Sequence, residues 1–414
     1  MPPPNVQEIK PPEGWGEDAA RWLEAHGMVA EVPTIRSSDY ESCLSNPFGY
    51  YLTRRLGLSD ALRWSEALSR GSWFHKRFEY WDIPDEQAQP ILDSAISSRK
   101  EELSGICGEL GIQSDERRTI LEREEKDFKV TEAWFEAIKG EPLQWMSQPH
   151  FRCLGQEITG IYKHDRFKGA PLVAQFDSLL YHREQNTLWV VDLKTCAESP
   201  TDRLQTVGIE FQTQHYMHVA HFLLQEGVLQ KEYDLPQDCT LGGMAHIAVQ
   251  KPTINFGLND RDFLEEEHTL KSGPRKGQIE IRRKYLGEPR FENYVARCKR
   301  WYAGEGEYEN KKVDREQNPP VNISYTYGKN LLDPHFEAEY LERVALIHSL
   351  ATRRAWPDQF YKSAGAIRSH GKISRFAPLY LCHPREWPTI IQELKLITLR
   401  RDEHTPLDHT GLHT

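Results

Sequence analysis

Two carboxylates and a lysine stand where apolar residues belong. Asp177 interrupts the run LVAQFDSLLY, and Asp192 and Lys194 interrupt TLWVVDLKT. Residues two apart on a strand share a face, so Asp192 and Lys194 project together while Leu193 points the other way. Asp177, from a neighbouring strand, would bring a second carboxylate to the same patch. Two carboxylates beside an ammonium suit a divalent cation, because Mg²⁺ takes oxygens from one or two carboxylates together with phosphate and water. The plainer reading is a surface ion pair, worth only about 0–1 kcal/mol. Against it, Asp192 directly follows Leu188, Trp189, Val190 and Val191. An unpaired charge in such a strand costs several kcal/mol, which a bound metal would offset.

The elements that must hold these groups follow from local pattern. The two runs read as strands, and the polar cluster from His182 to Asn186 reads as the turn of an antiparallel hairpin. From about Gly208 to Gln225 the pattern is helical, with Gln212 and Tyr216 four apart on one face that looks back at the hairpin. Asp60 to Phe78 reads as a helix carrying His75 among Trp73, Phe74 and Phe78, where a core histidine is the competing reading. Pro84 to Lys139 is charged and helical, its Glu, Arg and Lys runs being a solvated face. HFRCLGQEITGIY is a strand containing Glu157, and MAHIAVQKP is a strand completing the sheet. From Phe256 to Lys312 the chain reads as irregular and basic in patches. Lys276, Arg282, Arg283 and Lys284 alternate there with aromatic residues, a pattern that suits contacts to phosphates and bases, or equally a solvated loop and helix. Pro334 to Thr352 and Trp387 to Leu399 read as helices.

FDSLL, VVDLKT and QTQHY, in that order, resemble the PD-(D/E)xK nuclease superfamily in its RecB-like branch, whose signature is an Asp, an Asp-x-Lys and a helical Gln-xxx-Tyr. Here these are Asp177, the triplet Asp192-Leu193-Lys194, and Gln212 with Tyr216. RGSWFHKRFE resembles the branch's Gly-xxx-His helix, and IRSSDYESCLSNPFGYYL resembles its opening segment, with Pro47, Phe48 and Tyr51. The order of parts is most similar to phage exonucleases of the RecE type, over Ile35 to Pro252.

The resemblance implies an α/β fold: a restriction-endonuclease-like core in which helices flank a mixed central sheet, with a helical insertion and a C-terminal extension. The expected division is an N-terminal arm at 1–34, a nuclease core at 35–255 with the insertion at 84–140, an α-rich extension at 256–400 and a disordered tail at 401–414. His75, Asp177, Asp192 and the backbone carbonyl of Leu193 would hold one or two Mg²⁺ ions, with Mn²⁺ able to substitute. Lys194 would orient or deprotonate the attacking water, Gln212 and Tyr216 would position the strand, and Glu157 would correspond to an upstream acid. Arg36 and Ser37, with Lys276, Arg282, Arg283 and Lys284, are the expected nucleic-acid contacts. The implied activity is exonucleolytic digestion of linear double-stranded DNA in phage recombination, with a single-strand annealing protein as partner and a homo-oligomeric ring as assembly. The alternatives are a nuclease that trims ends for CRISPR adaptation and a non-catalytic DNA-binding or inhibitory module on the same fold.

Composition bounds these expectations. A length of 414 residues allows two to three domains, and a net charge of −10 counts against a freely exposed DNA-binding surface, although a local funnel can be basic on an acidic body. Relatives with an iron–sulfur cluster use one early cysteine and three late ones. Only Cys43 and Cys382 occupy comparable places, and a cluster needs four thiolates, so none is expected. The absence of a G-x-x-x-x-G-K-[ST] motif puts any motor on a separate chain. No apolar run approaches the roughly 18–20 residues of a membrane span. The first residues lack a basic stretch followed by an apolar one, so a cytoplasmic location is expected, in the bacterial host if the chain is phage-encoded.

Overall fold

A strand buried on both faces sorts its side chains by parity, and Thr187–Cys196 does so: Leu188 and Val190 join one apolar cluster, while Trp189, Val191 and Leu193 join another. The computed structural model describes residues 34–351, apart from 57, 60–65, 140–144, 169, 271, 273, 275–277 and 309–318, together with shorter stretches between 368 and 408. Its longer strands are β1 (Phe151–Tyr162), β2 (Leu172–His182), β3 (Thr187–Cys196), β4 (Thr240–Gln250), β5 (Asp262–Thr269), β6 (Ile279–Leu286) and β7 (Val321–Tyr327). The main sheet runs β1-β2-β3-β4-β7, with β3 and β4 parallel and the other neighbours antiparallel. Two-residue strands, Ile35–Arg36 and Leu407–Asp408, pair with β2 and β1.

The longer helices are α1 (Glu66–Phe78), α2 (Asp85–Glu109), α3 (Ser114–Ile138), α4 (Phe211–Gln225), α5 (Phe291–Ala303) and α6 (Pro334–Ala351). Parallel strands require a crossover, and α4 lies within the one between β3 and β4. One sheet face packs Phe74 of α1, Trp134 of α3 and Tyr294 of α5 against Val191, Leu193 and Ile247. On the other, Met217 and Leu223 of α4 and Tyr340 and Val344 of α6 meet Leu179, Val190 and Met244. Helix α4 comes so close to the sheet that a side chain at Gly160 would collide with Leu223 and Phe176, at 2.9 and 3.0 Å.

Helices α2 and α3 fall within the segment expected as a helical insertion. Buried Arg77 at the end of α1 ties it to them, its guanidinium lying 2.6 Å from Asp85 and 3.6 Å from Glu132. Burial pushes Glu132 up to about 7 even though Arg77 opposes the shift. The end of α1 that carries His75 is thereby held against the insertion.

Three expectations change. The stretch expected to be irregular after Phe256 forms the β5–β6 ribbon followed by α5. Its basic patch hid the alternation of IEIRRKYL, and Glu265 and Glu266 stand across the ladder from Arg283 and Arg282. The segment after residue 255 is not a separate α-rich extension, because β7 pairs along β4 and α6 enters the core. Strand β4 is almost wholly apolar, and β7 covers an edge that would otherwise be bare. In the tail expected to be disordered, Leu407 and Asp408 pair with Gly160 and Ile161, while residues 401–406 and 409–414 lie outside the described residues, as do 1–33 and Lys276. Among the described residues no helix is long and apolar enough to cross a membrane.

Candidate active site

The hydrogen-bond ladder between β2 and β3 runs from the His182–Thr187 pair to Ser178–Val191 and stops. One residue further along β2, a side chain replaces the missing strand partner: the Leu193 N–H donates to Asp177 Oδ2 at 2.6 Å. Strand β3 stays paired with β4 beyond this point, and Ile35–Arg36 takes up the freed edge of β2 at Leu172 and Val173. The two strands therefore fork, and Asp177 sits in the crotch.

Three ligand-type side chains converge on one side of the fork. His75 Nδ1 lies 3.4 Å from Asp177 Oδ1. The flanking pairs Gln156–Ser178 and Ile158–Phe176 put Glu157 opposite Asp177. Glu157 has φ 50°, a left-handed conformation inside a strand that costs a side-chain-bearing residue about 1–2 kcal/mol. Gln175 Nε2 donates to Glu157 Oε2 at 2.6 Å and steadies the carboxylate. One donor atom each from His75, Glu157 and Asp177 lies within 4.8 Å of the other two. Burial first, then the neighbouring Asp177 carboxylate, pushes Glu157 up to about 7. Burial also works against charge on His75, but Asp177 outweighs it and holds the imidazole above its ordinary value. Carboxylates this close resist carrying charge together, a conflict that a cation relieves.

On the other side, Asp192, Lys194 and Gln212 close a triangle. Lys194 Nζ lies 2.8 Å from Asp192 Oδ1 and donates to Gln212 Oε1 at 2.9 Å, and Gln212 Nε2 donates to Asp192 Oδ1 at 3.2 Å. Asp192 Oδ2 faces His246 Nδ1 at 3.4 Å. Burial disfavours the Asp192 charge, yet Lys194 and His246 hold the carboxyl down at about 2. Burial disfavours the Lys194 ammonium too, and Asp192 and Asp177 prevail, leaving its pKa above the ordinary lysine value. Tyr216 packs edge-on against Phe176 at 5.6 Å. Burial, then Asp177 and Asp192, drive its phenol well above the usual range against hydrogen bonds with Gln212 and Ser37.

The cation-capable trio thus differs from the expected ligand set. Glu157 joins His75 and Asp177, whereas Asp192, one strand further in, has both oxygens turned to Lys194, Gln212 and His246. Leu193 meets the site through its N–H. Beside Gln212 and Tyr216 opens a cleft of about 700 Å³, lined also by Arg36, Arg54, Arg203, Ser37 and Thr159. Neither His75 nor any of the three site carboxylates lines it, so cleft and site meet at Gln212 and Tyr216 on one side and at Gln175, the partner of Glu157, on the other. Arg203 is held at the rim by Glu210, Nη2 to Oε2 at 3.1 Å, and Arg54 by Asp39 at 3.1 Å.

Arg282, Arg283 and Lys284, expected as nucleic-acid contacts, have acidic and aromatic neighbours. They lie on β6 facing the acidic strand β5, with Lys284 3.3 Å from Glu266, Arg282 3.0 Å from Glu280 and Arg283 over the Phe263 ring. Gln175, Arg203 and His246 were not singled out from sequence. Gln175 carried a signal, standing two residues before Asp177, while Arg203 sits in a polar connector and His246 in a strand that reads as core.

The sequence matches the PD-(D/E)XK nuclease superfamily over residues 37–314, more than half of the chain, and the mixed sheet flanked by helices is consistent with that fold. The chain belongs to this superfamily. The match takes in His75, Glu157, Asp177, Asp192, Lys194, Gln212 and Tyr216 and ends before β7. No curated protein matches the chain.

Proposed function

We propose that this chain is a Mg²⁺-dependent deoxyribonuclease of the RecB-like branch, acting as an exonuclease on linear double-stranded DNA. The observation that supports it is the convergence of His75, Glu157 and Asp177 beside an ion-paired lysine at a strand fork. Two carboxylates and an imidazole fit a hard divalent ion, Mg²⁺ or Mn²⁺. The strained backbone at Glu157 and the mutual repulsion of the carboxylates are the costs that such an ion would offset. His75, Glu157 and Asp177 would hold it, while Asp192, its oxygens engaged by Lys194, Gln212 and His246, would keep Lys194 in place beside it. When bound, it polarises the scissile phosphate and lowers the pKa of a bound water.

The chain's own residues do the rest. Lys194, ion-paired with Asp192, would orient the water and counter charge on the phosphate. Gln212 locks Lys194 and Asp192 in register and, with Tyr216, borders the strand path. Arg36, Arg54 and Arg203 outnumber the Glu210 and Asp39 carboxylates beside them and leave the cleft with a small positive excess on a body of net charge −10, which suits a phosphate backbone and makes binding fall with salt. Exonuclease action, a phage recombination setting, an annealing partner and a homo-oligomer rest on the RecE-like order of motifs.

The test is digestion of a linear duplex labelled separately at its 5′ and 3′ ends, with a covalently closed circle as control, in Mg²⁺, Mn²⁺ or EDTA. Metal-dependent loss from one end with the circle intact is expected. Cleavage of the circle would refute the exonuclease assignment, and no digestion in either metal would refute nuclease activity.

A further inference from the structure

Strand β4 is apolar around one exception. His246 sits among Met244, Ala245, Ile247 and Ala248, is only 1 % exposed, and pairs across the ladders with Asp192 of β3 on one side and Ser324 of β7 on the other. A buried imidazole needs partners for both nitrogens. Nδ1 faces Asp192 Oδ2 at 3.4 Å and Nε2 faces Thr326 Oγ1 at 3.3 Å. An ionised carboxylate only accepts hydrogen bonds, so Nδ1 carries the proton. In the neutral ring Nε2 then accepts from the Thr326 hydroxyl. The other Asp192 oxygen takes Lys194 and Gln212. Each oxygen therefore has its own donors, and the carboxylate plane is set from two directions.

We propose that His246 and Thr326 are positioning residues for Asp192, so that β7, a strand beyond the superfamily-matched residues, holds the catalytic centre in register. This rests on the nuclease reading above. Neither side chain lines the cleft, and both contacts, at 3.4 and 3.3 Å, are long for hydrogen bonds. The effect belongs at the low end of the roughly 10–100-fold typical of groups that orient ligands from behind. The competing view is a core histidine whose partners merely satisfy its burial. That view predicts lost stability and unchanged turnover.

Thr326→Val keeps the shape and removes the hydroxyl, while Thr326→Ser keeps the hydroxyl. Expected for the valine variant are a kcat about 10-fold lower, an unchanged KM for DNA and a thermal midpoint lowered by a few degrees because the buried Nε2 loses its donor, with both kcat and midpoint recovered in the serine variant. Side-chain ¹⁵N NMR of His246 should report the Nδ1–H tautomer, with resonances that move in Thr326→Val and in Asp192→Asn. Wild-type kcat in Thr326→Val, equal impairment in the serine variant, or an Nε2–H tautomer would each overturn the proposal. If the wild-type protein hydrolyses no DNA, the nuclease reading fails, and the tautomer and its response to Thr326→Val still decide whether the three side chains are coupled.

Discussion

The β2–β3 hairpin and the β5–β6 ribbon are both antiparallel and both carry acids and bases, yet their charges live under opposite conditions. In the first, helices cover both faces, Asp192 is 2 % exposed, and all of its partners are prescribed. In the second, Lys284 and Glu266 are 63 % and 54 % exposed and both charges face solvent. Ion pairs of the second kind are worth little, whereas removing one partner of the first kind strands a buried charge. The same residue types thus make a chemical centre in one place and a solvated surface in the other, and the apolar surroundings decide which.

The contrast should break first at the fork. Asp177→Asn removes the carboxylate charge and leaves one oxygen for both the Leu193 N–H and the cation, so DNA hydrolysis should fall by more than ~100-fold, beyond what outer groups typically supply. A steady-state assay of the purified variant checks this. Next in size is stability. Asp192→Ala leaves Lys194 and His246 without their carboxylate and should cost roughly 3 kcal/mol in urea unfolding. Glu266→Ala in the ribbon should cost no more than about 1 kcal/mol. Equal losses would erase the distinction between the hairpins.

The support behind the fork should also be acid-sensitive. His215 on α4 donates from Nε2 to the Val173 carbonyl at 2.9 Å and accepts at Nδ1 from the Tyr340 hydroxyl at 3.0 Å, and burial pulls its pKa down to about 4. His218 stacks on Tyr340 at 4.3 Å and is lowered by burial to about 3. Both folded values lie below the unfolded value of about 6.5, so the unfolded chain binds protons that the folded chain refuses. Stability from these residues is complete above about pH 6.5 and is lost as pH falls toward 4 and 3. His215 alone should account for about 2 kcal/mol between pH 7.5 and pH 5. Urea unfolding at the two pH values measures it, and His215→Phe should remove about 2 kcal/mol of the difference while leaving the share of His218. The smallest effect is expected in the ribbon, where the double variant Arg282→Ala and Arg283→Ala should leave DNA affinity within about 2-fold by anisotropy, since glutamates already face those cations.

What was legible in the sequence was the part carried by short-range pattern. The hairpin, its turn and the helix with Gln212 and Tyr216 follow from periods of two and four, and they supplied the Lys194–Asp192–Gln212 triangle. The fork itself was not legible, because a ladder that stops at Ser178 and Val191 leaves no mark on composition. Glu157 could be suspected but not weighed, since its left-handed backbone is imposed by the pairing around it. The pairing of β7 with β4 joins residues some eighty apart in sequence, and nothing local in VNISYTY names its partner. The basic run in β6 misled because charge was read along one strand, while its meaning depends on the acidic strand beside it.

The most direct test of the forked site is Mn²⁺ binding followed by electron paramagnetic resonance and calorimetry in wild type, Asp177→Asn and Glu157→Gln. Saturable binding to wild type, weakened at least ~10-fold in both variants while circular dichroism stays unchanged, is the predicted result. Absence of binding to wild type, or wild-type affinity in Glu157→Gln, would contradict a cation held by His75, Glu157 and Asp177.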